Sequence, residues 1–307
     1  MSLLVVGTVA FDAIETPFGK TDKIIGGAAT YIALAASYFT DKINLVSVVG
    51  DDFPQEAIAM MKKHHVDTEG LQIKKGEKSF FWSGKYHNDM NTRDTLVTEL
   101  NVLADFKPVV PDAYKKCDFL MLGNLTPSVQ QEVILQLPKR PKLIVLDTMN
   151  FWMNVALKEL TETLKMIDVL TINDEEARIL SKEYSLVKAA QKILAMGPKT
   201  LIIKKGEHGA LLFNKKEVFY VPAIPLENVF DPTGAGDSFA GGFIGYLAKT
   251  KDISFENMKR AIIFGSALAS FCVEKFGTEK LIGLRKKEVQ NRVQEFIDLV
   301  QCEIKLD

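Results

Sequence analysis

The chain has 307 residues, 47% of them apolar, with a formal charge of −1. That length holds one large α/β domain or two ordinary ones around a substantial core. The near-neutral balance provides no basic surplus to recruit nucleic acid or an anionic membrane, so a small-molecule substrate is expected. Three cysteines, Cys117, Cys272 and Cys302, are odd in number and widely spaced, which suits a reducing compartment rather than a disulfide scaffold. The start Met-Ser-Leu-Leu-Val-Val-Gly lacks a basic leader region, and no run of about 18 apolar residues follows. A cytoplasmic protein without a membrane span is expected.

Short apolar runs alternate with helical patterns from end to end, which predicts parallel strands joined by crossover helices. In chain order the pattern gives a strand from Leu3 to Val6, a helix from Ala28 to Tyr38, a strand from Asn44 to Val49 and a helix from Gln55 to His64. Strands from Phe119 to Leu122, Leu143 to Leu146, Val169 to Ile172 and Thr200 to Ile203 follow. The helices between them run from Ser128 to Leu137, Trp152 to Met166 and Leu186 to Ala195. A hairpin from Ala210 to Phe213 and Glu217 to Val221 turns at Asn214-Lys215. An apolar helix from Phe239 to Leu247 and helices from Ser254 to Glu274 and Lys287 to Gln301 close the chain. The expected fold class is α/β, a doubly wound and mostly parallel sheet with helices on both faces.

Two stretches interrupt the alternation. Residues 13–25 are a short polar excursion, and residues 79–100 contain Phe80-Phe81-Trp82-Ser83-Gly84-Lys85-Tyr86 and Thr95-Leu96-Val97-Thr98, which read as hairpin strands. Together they predict a small β lid, with a decorative hairpin as the alternative. Residues 1–307 carry no repeat or linker, so one catalytic domain with a lid is the economical organisation.

The most informative stretch is Asp231-Pro232-Thr233-Gly234-Ala235-Gly236-Asp237-Ser238, running into the apolar helix. Gly234, Ala235 and Gly236 let the backbone approach a ligand and aim N–H groups at it where a helix contributes partial positive charge. A carboxylate at Asp237 is ill suited to bind phosphate beside that cradle. It is well suited to take a proton from a hydroxyl that attacks phosphorus. Other phosphate motifs fail: Phe239 stands where Gly-x-Gly-x-x-Gly needs its third glycine, and Ile14 stands where a Walker loop ending at Gly19-Lys20-Thr21 needs its first.

The whole run Asp231 to Phe243, including Gly241 and Gly242, resembles the C-terminal signature of the ribokinase-like (PfkB) carbohydrate kinase family. The resemblance implies in-line phosphoryl transfer from ATP, with Mg²⁺, to a hydroxyl of a small sugar or polyol. Asp237 would be the base, and Gly234, Ala235 and Gly236 the anion hole, with the backbone N–H groups of Ala235, Gly236 and Asp237 as the clamp. Asp231 and Thr233 match positions that bind a monovalent cation such as K⁺ in many members, although Asp231-Pro232 reads equally as an ordinary turn. Asn173 and Glu176 resemble the family's Asn-x-x-Glu motif, which orders Mg²⁺ and its waters; an N-cap with a capping-box Glu has the same spacing. Lys204, Gly206 and Gly209 resemble the nucleotide loop Thr-x-Gly-x-x-Gly, with Lys204 replacing a hydroxyl by a charge. Gly265, in Phe264-Gly265-Ser266-Ala267, lies where members shape the adenine pocket, or is simple helix packing.

On the acceptor side, Gly7-Thr8-Val9-Ala10-Phe11-Asp12 resembles the family's first strand, ending in an Asp that binds substrate hydroxyls. Gly26 and Gly27 resemble the Gly-Gly motif that lies against substrate. Sugar and nucleoside kinases usually carry Asn a few residues later, whereas this chain reads Ala28-Ala29-Thr30-Tyr31. That departure favours a sugar or polyol over a nucleoside, and plant-type inositol kinases read similarly. Asn124, Asp147, Asn150 and Arg93 are further polar candidates for the pocket. A nucleoside kinase is the alternative within the enzyme class, and an inactive sugar or nucleotide sensor the alternative outside it. Family lids often pair, but the first lid segment here is short, so monomer and homodimer both stand.

Overall fold

The structure, a computed structural model, describes residues 2–301; Cys302 lies outside them. The chain begins with β1 (Leu3–Val6), β2 (Ala10–Thr16), β3 (Gly19–Lys20), β4 (Ile24–Gly26) and α1 (Ala28–Ala36). Then come β5 (Ile43–Gly50), α2 (Gln55–Lys63), β6 (Val66–Lys74) and the hairpin β7 (Phe81–Tyr86) and β8 (Arg93–Glu99). The middle comprises β9 (Phe119–Leu122), α3 (Pro127–Leu135), β10 (Leu143–Asp147), α4 (Asn150–Val155), α5 (Leu157–Leu164), β11 (Val169–Asn173), α6 (Asp174–Ser181), α7 (Leu186–Ala195) and β12 (Thr200–Lys204). The last part holds β13 (Ala210–Phe213), β14 (Val218–Val221), α8 (Ala235–Thr250), α9 (Phe255–Cys272), α10 (Glu279–Gly283) and α11 (Lys286–Val300).

Nine strands form one sheet in the order β14-β13-β12-β11-β10-β9-β1-β5-β6. The pairings from β12 across to β6 are parallel, and β13 and β14 are antiparallel at one edge. Alternate residues of each central strand feed opposite faces. Leu3, Val5, Phe119, Val145 and Val169 pack with Ile32, Phe243, Leu247 and Ile262 on one side. Leu4, Val6, Leu120, Leu146 and Leu170 pack with Val133, Leu160, Ala177 and Ile193 on the other. Full burial of such a side chain is worth about 1.5–3 kcal/mol, so both helix layers are clamped to the sheet and the carboxyl ends of β10, β11 and β12 become rigid mounts.

A second sheet, β3-β2-β7-β8 with β4 also on β2, stands over those carboxyl ends. It differs from expectation at Asp12. Rather than ending the first strand, Asp12 sits within β2, in the smaller sheet. The chain leaves the main sheet at Gly7-Thr8-Val9 because other partners claim that backbone. Ser47 Oγ bonds Gly7 O and Val9 N, and Thr8 O accepts from Ala29 N.

β6 is a strand that the sequence pattern hides. Its pairing with β5 slips between Asn44 and Val46, where β6 advances from Asp67 to Gly70; a bulge of this kind breaks the apolar alternation. The helix expected from Trp152 to Met166 is two, parted at Ala156, whose φ of −141° and ψ of 36° are not helical. The break lets Leu160 and Leu164 enter the core while Trp152 Nε1 donates to Asn124 Oδ1 at 2.8 Å.

Candidate active site

Parallel strands end on one side of a sheet, and the crevice there is where ligands meet open α/β folds. Here β10 ends in Asp147, β11 in Asn173 and β12 in Lys204, with Asn173 opposite Lys204 in the ladder. The start of α8 faces them. Gly234 is its N-cap, in the left-handed region at φ 76°, and the Tyr31 ring lies where a Cβ on Gly234 would stand. Gly241 and Gly242 bring the rest of α8 against α1 and α9: Cβ atoms there would meet Ile32 and the Gly265 backbone. Gly265 thus occupies a helix-packing contact.

The cradle differs from expectation in one donor. Ala235 N–H closes a turn onto Pro232 O at 3.2 Å. Among the described residues, the N–H groups of Gly236 and Asp237 have no acceptor; they are the first-turn donors that a helix leaves open. The Asp237 carboxylate also has no hydrogen-bond partner among the described residues and is part-exposed to the crevice. Burial, then the charge of Asp147, raises its pKa to about 7, against the opposing pull of Lys204 and Arg93.

Around Asp237 stand four further charged groups. Lys204 Nζ lies 2.6 Å from Asp147 Oδ2 in a largely buried ion pair. Burial works against the ammonium, but Asp147 and Glu176 outweigh it and hold Lys204 above its ordinary range. Glu176 is lifted to about 7 by burial and then by Asp147. Asn173 and Glu176 form the capping box of α6: Glu176 N donates to Asn173 Oδ1 at 2.7 Å, and Asn173 N to Glu176 Oε2 at 2.8 Å. One Glu176 oxygen is therefore committed to the cap while its charge still faces the crevice. From the smaller sheet, the Arg93 charge acts on both Asp237 and Glu176.

Asp12, 5% exposed, lies against Gly26, leaving no room for a side chain there. Burial chiefly raises its pKa to about 7, helped by Asp231 and Asp237 and resisted by the Gly27 N–H. Asp231, 1% exposed, accepts from Thr233 N and Gly277 N, both at 2.8 Å, and so ties the signature loop to the segment after α9. Thr233 Oγ1 meets Tyr86 OH at 3.1 Å, which joins the loop to β7. Gly206 opens the turn after β12, and a Cβ there would lie 2.6 Å from Asn91 Oδ1 in the β7–β8 turn. Gly209, at φ 81°, closes that turn, with Lys205 N donating to its carbonyl at 2.8 Å.

Not every candidate joins the cluster. Asn124 is spent on Trp152 and Met149, its amide lying 3.1 Å from the Met149 sulfur. Asp147 does join it, with one oxygen held by Lys204. Conversely, sequence reasoning passed over Tyr86, and it read Phe276-Gly277 with the adenine pocket, whereas the Gly277 N–H is bound to Asp231. Tyr86 was within reach, because in the alternating run Phe81 to Tyr86 it falls on the buried face with Gly84.

The donor set suits a nucleotide and a hard cation. The cradle is free of Cβ atoms at Gly234 and Gly236, and burial, then the charge of Asp147, raises the pKa values of the neighbouring acids Glu176 and Asp237. Among the described residues no three His, Cys, Asp or Glu side chains are grouped to enclose a metal.

Comparison with known proteins bears on the same geometry. The model of the pfkB family of carbohydrate kinases matches residues 2–282. A nucleoside kinase of Methanothermobacter thermautotrophicus is 30% identical over 90% of this chain and 91% of its own. A cytidine kinase of Thermococcus kodakarensis is 29% identical over 80% and 87%. A solved structure of a putative ribokinase II from E. coli, in complex with ATP and Mg²⁺, superposes with a TM-score of 0.78 at 19% identity, covering 96% of this chain and 99% of that one. With the family model spanning nearly all of the described fold, this chain belongs to the pfkB carbohydrate kinase family and is an ATP-dependent phosphotransferase acting on a hydroxyl of a sugar or nucleoside.

Proposed function

We propose that Asp237 is the general base of this kinase and that the acceptor is a small sugar or polyol. The observation carrying the first part is a carboxylate without a hydrogen-bond partner, adjoining the open N–H groups at the start of α8. Asp237 would accept the proton of the attacking hydroxyl, while the N–H groups of Gly236 and Asp237 meet charge developing on the transferring group. Asn173 and Glu176 are the residues that would hold Mg²⁺, through water. That ion supplies charge neutralisation at the phosphates when bound. Gly206 and Gly209 give the nucleotide a loop without side chains. Asp231 and Thr233 are where a monovalent cation would bind, and turnover in potassium against tetramethylammonium chloride tests it.

The smaller sheet would act as a lid. Tyr86 ties it to the signature loop and Asn91 lies beside Gly206, so its closure would keep water from the phosphoryl group.

Asp12 is proposed to receive acceptor hydroxyls. No Asn occurs in Ala28-Ala29-Thr30-Tyr31, and the Tyr31 phenol, 1% exposed, has no hydrogen-bond partner among the described residues. One bidentate hydroxyl contact is therefore missing. A second reading, a nucleoside acceptor, is favoured by the cytidine and nucleoside kinases that match over 80% and 90% of the chain. ADP release across sugars, inositols and nucleosides separates the two. A kcat/KM for cytidine tenfold above every sugar would replace the sugar reading, and silence on the whole panel would favour a sensor.

Two outcomes follow for the best acceptor. Asp12→Ala should raise the acceptor KM by about 10-fold or more while leaving that for ATP near its original value, as loss of a charged hydrogen bond does; an unchanged KM would move the pocket elsewhere. Activity should also rise with pH, because the base works only when ionised. With Asp237 at about 7, kcat/KM measured from pH 5 to 9 should climb through an acid limb near pH 7 that Asp237→Asn abolishes, and a profile flat down to pH 5 would show that the base ionises well below 7 in the working enzyme.

A further inference from the structure

We infer that Lys204 is the cation that grips the terminal phosphoryl group of the bound nucleotide, and that Asp147 is its positioning residue and not an acceptor ligand. The inference rests on the phosphotransferase reading of this site and extends it to two residues.

Three observations carry it. The first is place: a Cβ built on Gly236 would lie 3.0 Å from Lys204 Nζ, so the ammonium stands directly over the cradle. The second is spare capacity. An ammonium has three donors, Asp147 Oδ2 takes one at 2.6 Å, and no other acceptor is engaged among the described residues. Its side chain is only 17% exposed, so the remaining donors are not simply surrendered to bulk water. The third is the state of Asp147. Its carboxylate is buried with one oxygen fixed on Lys204, at the end of a strand whose register holds the pair in place.

Two readings of the pair compete. A lysine placed only to neutralise Asp147, Glu176 and Asp237 would be equally well buried. Its loss would harm the site by stranding acids, with no preference for the nucleotide bound. A lysine that meets the terminal phosphoryl discriminates between triphosphate and diphosphate. Desolvation of both ions is costly unless each is fully paired, which leaves the free donors as the feature that a purely structural pair does not account for. Asp147 then fixes the ammonium over Gly236 when nucleotide is absent.

Calorimetric titration with Mg²⁺-adenylyl imidodiphosphate, a non-hydrolysable triphosphate, and with Mg²⁺-ADP separates the readings without any acceptor. Lys204→Met should weaken the triphosphate analogue by about 10- to 150-fold, the span of a hydrogen bond to a charged group, and ADP by less than about threefold. Because Lys204→Met strands Asp147 as a buried unpaired acid, the double variant Lys204→Met with Asp147→Asn is measured beside it; it replaces the ion pair by neutral groups and guards against misfolding.

The double variant should keep the selective loss for the triphosphate analogue, and Asp147→Asn should change the selectivity no further once Met stands at 204. Return of wild-type affinity for the analogue in the double variant would overturn the inference, since the damage would then come from the stranded carboxylate. Equal losses for both nucleotides would overturn it too. Failure of the acceptor panel would count against the proposed function but would leave this ratio unchanged.

Discussion

Asp237→Asn should lower kcat by on the order of 10²-fold or more while leaving ATP affinity close to its original value. The amide keeps the size and the position in the first turn of α8, so the cradle formed by Gly236 and Asp237 N–H is undisturbed. What disappears is the proton acceptor, and general-base removal acts on the transition state rather than on nucleotide binding. A 10²-fold loss is about 2.7 kcal/mol of barrier. The change also removes a charge that Asp12 feels, so the Asp12 carboxyl should ionise at lower pH. Nucleotide binding by calorimetry gives the control, since Asn removes the repulsion between the carboxylate and phosphate and affinity should hold or tighten. Near-normal turnover by the Asn variant would show that another group takes the proton.

The sequence made the site legible where function is written in the local backbone. Gly234, Ala235, Gly236 and Asp237 are consecutive, and their meaning follows from what small residues and a carboxylate do at a helix start. The parallel strands were equally plain, since Leu3–Val6 and Phe119–Leu122 are apolar runs buried on both faces. What stayed hidden depended on partners far away in sequence. β6 carries a bulge set by its pairing with β5, and Asp12 changes sheets because Ser47 and Ala29 claim the backbone before it. Asp147 reads from the sequence as a polar group of the pocket, and nothing local announces its ion pair with Lys204, 57 residues on. At Asn173 and Glu176 capping and the proposed metal ordering would share one carboxylate, because one of its oxygens makes the cap while the acid stays within reach of the Asp147, Lys204 and Arg93 charges.

Gly234→Ala should cost both stability and turnover, for two separable reasons. At φ 76° an alanine carries a left-handed penalty of about 1–2 kcal/mol. Its Cβ would also run into the Tyr31 ring, and forcing extra volume into a packed site costs typically 1–3 kcal/mol more. The expected destabilisation is therefore about 2–5 kcal/mol in urea unfolding. The ring cannot yield freely, because Tyr31 is packed with Leu34, Leu268, Phe271 and Cys272. The backbone must give instead, which would turn the N–H groups of Gly236 and Asp237 away from the phosphoryl group and lower kcat by about 10²-fold, the loss seen when one preorganised donor is removed. Tyr31→Leu in the same chain separates the contributions. Leucine relieves the clash but not the φ penalty, so part of the stability and most of the turnover lost to Gly234→Ala should return. Full recovery of stability would mean that the left-handed backbone costs nothing here, and no recovery of either would mean that the ring does not hold the cradle in shape.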